Sequence, residues 1–309
     1  MKLCHLYINH PEHAFDRGLK AEAESVAADL TRDGFPIRVE LRYGRGDEAR
    51  QRQLIEADRR AARPADLFVI IPIDQDAVYA IVSDIVTARD DATCVFLHQP
   101  LTPTMRSERE AFGQRLFSVA ADQTEIGRLQ ARQFAALLPE QTGSVLYVQG
   151  AEHSYGTRHR MKGLLQEMPR TPGIKLNGYR VFGDWSPESV RPAVERWAQL
   201  GGKLEWIQAA GAQNDDMALA LAGLVRESGV SVPVIGVDGM EAGQRAVDDG
   251  TLAATVIQPL AIGHVLRLYR ELQSGVPQRG SIPEDGNIRL PPESYPPLDV
   301  LRRRAARTS

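Results

Sequence analysis

Three short apolar runs near the middle of the chain alternate with amphipathic segments of helical spacing. The runs cover Trp206–Ala209, Pro233–Val237 and Ala253–Ile257. This pattern predicts strand, helix, strand, helix, strand. Polar side chains follow the three runs, namely Asn214, Asp238 and Gln258. Because ligands bind outside the carboxyl ends of neighbouring parallel strands, we expect these three side chains to lie close together.

The same alternation continues along the rest of the chain. Further strands are predicted at Lys2–Ile8, Ile37–Tyr43, Leu67–Ile71, Thr93–Leu97, Leu116–Ala120, Ser144–Gln149, Lys175–Phe182 and Asn287–Leu290. The segment from Pro100 to Gln114 is rich in proline and charge, and it is predicted to be a solvated excursion. With roughly nine strand-helix units, the chain exceeds the usual width of one open sheet, which favours two lobes.

Composition limits the classes of partner. The chain has 309 residues and a formal net charge of -3, which argues against general nucleic-acid binding, since that needs a clustered positive surface. No apolar run approaches the length of a membrane span, so no membrane insertion is expected. The first ten residues lack the features of a signal peptide. The numbered sequence therefore predicts a cytoplasmic protein, or a periplasmic one if Met1 begins a mature form.

Two cysteines and three clustered histidines carry no recognisable site spacing. Cys4 and Cys94 fall within predicted core strands, where we expect buried free thiols and not a disulfide. His5, His10 and His13 match no known ligand spacing, so no metal site is predicted.

Catalytic motifs are also missing from the sequence. It contains no nucleophile elbow, no P-loop and no HExxH, and no cofactor is predicted. An enzyme interpretation would rest on Asp238 and Glu12 as an acid and base pair. We therefore predict a binding protein without catalysis.

Four stretches carry a resemblance to a known family. They are Ile71–Val78 (IPIDQDAV), Gln213–Ala218 (QNDDMA), Ile235–Gly239 (IGVDG) and Ala246–Gln258 (AVDDGTLAATVIQ). In this order, the chain resembles the ribose-binding and galactose-binding group of periplasmic solute-binding proteins, over about Lys2 to Leu290. It is similar as well to the related effector domains of lac-repressor-type regulators.

The resemblance implies an α/β fold of two doubly wound parallel-sheet lobes joined by a hinge of three crossovers. In that family the ligand binds between the lobes, which close by hinge motion. Carried onto this sequence, the first lobe is 1–121 plus 259–290 and the second is 122–258. The remaining residues, 291–309, are expected to form a mobile C-terminal tail.

The resemblance also implies a set of ligand contacts. They are Asn9, Glu12, His13, His98, Gln99, Arg158, Trp185, Asn214, Asp238 and Gln258. An indole can cover the C–H face of a sugar, while guanidinium, carboxylate and amide groups bond its hydroxyls. Asn214 is expected to cap a helix as well.

The first-lobe contacts depart from the family pattern. His98-Gln99 stands where the sugar binders have an acidic and basic pair, and Pro11-Glu12 replaces an aromatic pair. Either the sugar differs from a common pyranose or the ligand is not a simple sugar. A sugar or polyol is favoured because the second-lobe contacts match. If His98 lines the cleft, its protonation would make binding depend on pH, which is a hypothesis.

The predicted function is a non-catalytic receptor for a small hydroxylated solute that signals or delivers its ligand by lobe closure. Its partner would be a protein that recognises the closed form, either a sensor kinase or the permease of an ABC importer. The alternative is the effector-binding part of a repressor-like regulator lacking its DNA-binding domain, because no helix-turn-helix precedes the first strand.

Overall fold

The chain forms two compact units in the computed structural model. The first unit comprises Met1–Ala121 and Leu260–Leu290, and the second comprises Asp122–Pro259 and Pro291–Ser309. The chain therefore passes from one unit to the other three times. The structure describes residues 1–178, 181–275 and 281–308.

Strands and helices alternate in the first unit up to Ala121. In chain order they are β1 Lys2–Ile8, α1 Ala14–Arg32, β2 Ile37–Tyr43, α2 Glu48–Arg59, β3 Leu67–Ile70, α3 Gln75–Ala88, β4 Thr93–Leu97, α4 Pro103–Phe112 and β5 Leu116–Ala121. Successive side chains of β1 belong to two different apolar clusters, with Leu6 in one and Tyr7 in the other. A strand with both faces buried reads as a continuous apolar run, which is why β1, β3, β4 and β5 could be predicted.

Helix α4 corrects the prediction of a solvated excursion at Pro100–Gln114. Thr102 caps the helix, because its hydroxyl accepts a hydrogen bond from Met105 N at 3.4 Å, and Pro103 occupies the first turn, where its missing N–H costs nothing. Met105 is fully buried against the first-unit core. The prolines and charges therefore mark a helix start and its exposed face.

The second unit continues the alternation. Its elements are α5 Gln123–Leu137, β6 Gly143–Val148, α6 Tyr155–Glu167, β7 Ile174–Leu176, α7 Val190–Gln199, β8 Ala209–Ala212, α8 Asp215–Glu227, β9 Val234–Ile235, α9 Glu241–Asp248 and β10 Thr255–Ile257. The sheet order is β7-β6-β8-β9, with parallel pairs, and parallel bridges at Ala254 and Ile257 place β10 beside β9.

Two predicted strands of this unit differ from the structure. The run from Trp206 to Ala209 was expected to be a strand, but β8 begins at Ala209 and the Trp206 side chain is half exposed, with Lys203 Nζ 4.7 Å from its ring centroid. The strand predicted at Lys175–Phe182 is shorter in the structure, and its residues 179 and 180 lie outside the described part of the chain.

The chain then returns to the first unit as α10 Ile262–Gln273 and β11 Asn287–Leu290. Strand β11 completes a six-stranded sheet in the order β11-β5-β4-β3-β1-β2, in which every pair is parallel. Cys4 and Cys94 are buried free thiols, as predicted, and burial raises the pKa of both.

The last residues differ from the predicted mobile tail. They form β12 Glu293–Tyr295, antiparallel to β10, and α11 Leu298–Thr308, both within the second unit. Leu301 is 1% exposed and lies in the same apolar cluster as Phe134 of α5. Apolar contacts therefore hold the tail against the second unit. They could not be predicted from its proline-rich and arginine-rich composition. No helix among the described residues is long and apolar enough to cross a membrane.

Candidate functional site

The carboxyl ends of β8, β9 and β10 bring three polar side chains to one edge of the second unit. Asn214 follows β8, Asp238 follows β9 and Gln258 follows β10, and all three are buried. Gln258 N donates a hydrogen bond to Asp238 O at 3.1 Å. Asn214 caps α8 by accepting a bond from Met217 N at 2.9 Å, so it serves the fold as well.

Arg160, on α6, lies at the centre of this edge. Its Nε donates to Gln123 Oε1 and its Nη2 to Gln258 Oε1, each at 2.8 Å, and Nη1 donates to Gln213 O. The Asp238 carboxylate is 3.8 Å from Nη2, which is an ionic contact too long for a hydrogen bond. Burial lowers the pKa of Arg160, and Asp238 partly offsets that effect. We call Gln123, Arg160, Gln213, Asp238 and Gln258 the arginine cluster.

The indole of Trp185 borders the arginine cluster. The guanidinium carbon of Arg160 lies 5.4 Å from the ring centroid, within cation–π range. Gly150 leaves room for the Trp185 ring, because a Cβ at this position would lie 2.3 Å from the ring. Trp185 has a φ of +78°, an uncommon value for a bulky residue, and its carbonyl accepts a 2.8 Å bond from Asn214 Nδ2. Asn214 therefore helps to hold the ring in position.

Arg158 is not part of the arginine cluster. It is exposed and borders an open depression on the second unit together with Glu152, His153 and Lys162. Two residues along an α-helix correspond to about 200° of rotation, so Arg158 and Arg160 lie on nearly opposite faces of α6. The structure therefore places Arg160, and not Arg158, beside Asp238 and Gln258, and Arg160 shares its buried face with Leu164 and Glu167.

Gln123 and Gln213 also belong to the arginine cluster, although neither was predicted from the sequence. Gln213 accepts a bond from Gly150 N at 2.9 Å and donates to Thr157 O at 3.3 Å, which ties the turn after β6 to the end of β8. Gln123 donates to Gln258 Oε1 at 2.8 Å. Their positions in the sequence could have indicated them, because Gln213 directly precedes Asn214 in the QNDD stretch and Gln123 is the first residue of α5.

The loop after β1 holds three of the predicted first-unit residues. Asn9 and His13 are half-buried and Glu12 is exposed. Asp16 accepts hydrogen bonds from the backbone N–H groups of Asn9 and His10, at 3.1 and 2.5 Å. Burial raises the pKa of Asp16 to about 6, against the effect of these bonds. The loop is therefore held at its base by a buried carboxyl group.

His98 and Gln99 follow β4. His98 is buried with a φ of +62°, and its ring packs edge-on against Phe15 with centroids 5.0 Å apart. Gln99 Nε2 donates to Pro72 O at 2.9 Å, so its amide donor supports the neighbouring loop after β3. Since β3 lies between β1 and β4, the loops that carry Asn9, Pro72 and His98 leave the same edge of the parallel sheet.

The chain matches a known protein family over most of its length. A family described as "Periplasmic binding protein domain" matches residues 7–262 of the chain. The chain belongs to this family. Its membership confirms the resemblance drawn from the sequence, and the parallel α/β architecture agrees with it.

Curated relatives of this periplasmic binding protein match part of its length. The xylitol-binding protein of Mycolicibacterium smegmatis is 30% identical over 118 residues, which is 38% of this chain and 33% of that protein. The ribose import binding protein RbsB of Escherichia coli is 26% identical over 209 residues, 67% of this chain and 64% of that protein. The matched regions thus span less than two thirds of either relative.

Solved structures share the fold over nearly the whole chain. A galactofuranose binding protein has a TM-score of 0.80 at 16% identity, covering 99% of this chain and 98% of its own. An ABC transporter periplasmic solute binding protein from Actinobacillus succinogenes, with bound D-allose, has a TM-score of 0.79 at 19% identity, covering 98% and 100%. At these identities the likeness establishes the α/β fold, as predicted.

Proposed function

We propose that this periplasmic binding protein is a non-catalytic receptor for a small hydroxylated solute, a sugar or a polyol. The observation that carries the proposal is the arginine cluster with Trp185 beside it. The cluster brings a guanidinium, a carboxylate and amide groups together at one buried sheet edge, and hydrogen bonds to charged groups are stronger than those between neutral groups, which suits the cluster to a polar ligand. Relatives named for xylitol and ribose support the same class of solute.

The chemistry of the cluster matches a polyhydroxylated ligand. Each hydroxyl group both donates and accepts a hydrogen bond, Asp238 only accepts, and Arg160 only donates. The 3.8 Å between Asp238 Oδ1 and Arg160 Nη2 would let hydroxyls on adjacent carbons bond to both groups. The half-buried indole of Trp185 would cover the C–H face of the same ligand.

Five first-unit residues remain proposed contacts: Asn9, Glu12, His13, His98 and Gln99. They follow β1 and β4, at one sheet edge, and all except Asn9 differ from the sugar-binding pattern in the sequence. We expect them to determine which solute is preferred. The pH dependence proposed for His98 would appear as a dissociation constant that changes between mildly acidic and mildly basic buffer.

The proposed role is delivery to the permease of an ABC importer, from a periplasmic location. The name of the ribose import protein and the solved ABC transporter receptor support this choice over an intracellular sensor. Disruption of the gene should abolish uptake of the labelled ligand at low concentration. Unchanged uptake, together with a lost transcriptional response, would favour a sensor read by a protein partner.

A thermal-shift screen of ribose, allose, xylitol, inositol and nucleosides tests the receptor function. A ligand at a hundred times its dissociation constant stabilises the native state by about 2.7 kcal/mol, enough for a clear rise in melting temperature. The bound solute should be recovered chemically unchanged. A panel without any stabilising solute, or a solute converted to product, would contradict the proposal.

A further inference from the structure

The loop after β1 gathers three side chains that can ligate a metal ion. They are His10, Glu12 and His13, and one ligand atom from each lies within 4.8 Å of the other two. His10 Nδ1 is 3.3 Å from Glu12 Oε1, and the two imidazole rings stack with centroids 4.4 Å apart. All three belong to the first unit, whereas the arginine cluster belongs to the second, and Glu12 and His13 are also among the proposed solute contacts.

These separations are close to those within a coordination sphere. Zn²⁺ bonds to histidine nitrogen and carboxylate oxygen are about 2.0–2.2 Å long, so two ligand atoms on one ion lie at most about 4.4 Å apart, and about 3.4 Å apart in tetrahedral geometry. Binding one ion would require rotation about the side-chain torsions, because the stacked His10 and His13 rings must turn until a nitrogen of each points at the same centre. Two imidazole nitrogens and one carboxylate oxygen are a donor set that divalent transition metals use.

The backbone of the loop is already held in the shape that brings the three side chains together. His13 N donates to His10 O at 3.2 Å, which closes a tight turn. The buried Asp16 carboxyl accepts the N–H of His10, and Arg17 donates to the carbonyl of Glu12. The turn is therefore held by backbone groups and by the side chains of Asp16 and Arg17, and not by the side chains of the proposed ligands.

A glycine leaves room for the ring of His10. Gly46 has a φ of +70°, and a Cβ at that position would lie 3.1 Å from both Cε1 and Nε2 of His10. With Nε2 against Gly46, Nδ1 is the nitrogen that faces Glu12. The Glu12 side chain is exposed and that of His10 about a quarter exposed, so an ion can reach them from solvent.

We infer that His10, Glu12 and His13 bind one divalent transition-metal ion, with Zn²⁺ as the fitting representative. Three protein ligands leave a coordination position for water or for an oxygen of another molecule. The inference goes beyond the proposed solute receptor. It departs from the expectation of no metal site, which considered only the spacing of histidines along the chain and not the turn between His10 and His13.

Zinc titration of the chelator-treated, full-length protein tests the inference. Calorimetry and metal analysis after dialysis should both give one Zn²⁺ per chain, with weaker binding in acidic buffer, since only neutral imidazole ligates metal. Loss of a residue that merely orients a ligand costs about 10- to 100-fold in affinity, so His10→Ala and His13→Ala should each cost at least that much. Glu12→Gln should weaken binding as well.

His153→Ala is the matched control, because His153 is an exposed histidine of the second unit. It should bind zinc as the wild type does, and circular dichroism should show that all variants are folded. The inference is overturned if the wild type retains no zinc at micromolar concentration. It is equally overturned if folded His10→Ala and His13→Ala proteins bind zinc with wild-type affinity.

Discussion

At the scale of single residues, Arg160 and Arg158 form a natural pair for comparison. Arg160→Ala removes the donors of three buried acceptors and leaves Asp238 without its nearby cation, so it should lower the free energy of unfolding by about 3 kcal/mol. Arg158→Ala, at an exposed position, should change it by less than about 0.5 kcal/mol. Urea unfolding measures both. Equal stabilities would contradict the central place given to Arg160.

Asp215 should make stability depend on pH. Its buried carboxyl accepts bonds from Thr255 Oγ1 at 2.6 Å and Met240 N at 3.3 Å, yet burial dominates and raises its pKa from 3.8 to about 7. The native state therefore holds this proton more tightly than the unfolded state. The resulting stabilisation is complete below about pH 4 and is lost as pH rises through about 7.

The free energy of unfolding of the wild type should therefore fall between pH 5 and 8, relative to Asp215→Asn, by about 2 kcal/mol. Asp216→Asn, at the next and only half-buried position, is the control and should keep the wild-type slope. Denaturant titrations across this pH range provide the measurement. Parallel curves for wild type and Asp215→Asn would refute the role of Asp215.

Part of the candidate site could be predicted at this scale. Asp238 and Gln258 follow apolar runs, and the position of a strand end is determined by the strand itself, so their proximity could be expected. Arg160 could not be chosen over Arg158 without the register of the α6 face. The grouping of His10, Glu12 and His13 depends on a turn whose shape no periodicity encodes.

At the scale of elements, the crossing of α5 and α6 positions Arg160. A Cβ at Gly163 would lie 1.8 Å from Thr124 O, and one at Gly127 would lie 1.8 Å from Arg160 O. The two helices therefore approach closely through both glycines, and backbone atoms occupy the space that a methyl group would need. The position of Arg160 depends on this close approach.

Gly163→Ala should lower the free energy of unfolding by about 3 kcal/mol, at the upper end of overpacking costs, because backbone cannot give way as a side chain does. The control is Gly223→Ala on α8, where no described atom lies within 4 Å of the added methyl group. That substitution should stabilise by about 0.5–1 kcal/mol, since alanine favours helix more than glycine does. Similar effects at both positions would contradict the close crossing.

The C-terminal helix α11 gives a second test at this scale. Leu301→Ala should cost about 2–4 kcal/mol, because Leu301 is buried in the second-unit core. Arg302→Ala, at the adjacent exposed position, should have almost no effect. Thermal unfolding of the two variants distinguishes a packed α11 from a mobile tail. An unchanged melting temperature of Leu301→Ala would support the mobile tail predicted from the sequence.

Elements were predicted well where burial alone determines the pattern. Strands β1 and β4 match their apolar runs, since their side chains are buried on both faces of the sheet, whereas the edge strand β2 matches a run that alternates apolar and charged residues. Helices α4 and α11 were missed because each buries few apolar side chains beneath many charged ones. Composition therefore favoured solvated segments where one or two anchoring residues make a helix.

At the scale of the whole molecule, two parallel-sheet units and three chain connections follow from the repeated strand-helix pattern and the family resemblance. The identity of the solute does not follow from them. The second-unit residues agree with a sugar binder, whereas Glu12, His13 and His98 depart from that pattern. We therefore expect the chemistry of the first-unit loops to determine which solute is preferred.

Isothermal titration calorimetry with the best solute from the screen tests the central claim most directly. Asp238→Ala should weaken binding by about 2–5 kcal/mol, or roughly 30-fold or more, because the variant removes the acceptor of the ligand hydroxyls and the negative charge near Arg160. Arg158→Ala should bind as the wild type does. Wild-type affinity in folded Asp238→Ala protein would contradict the assignment of the solute site to the arginine cluster.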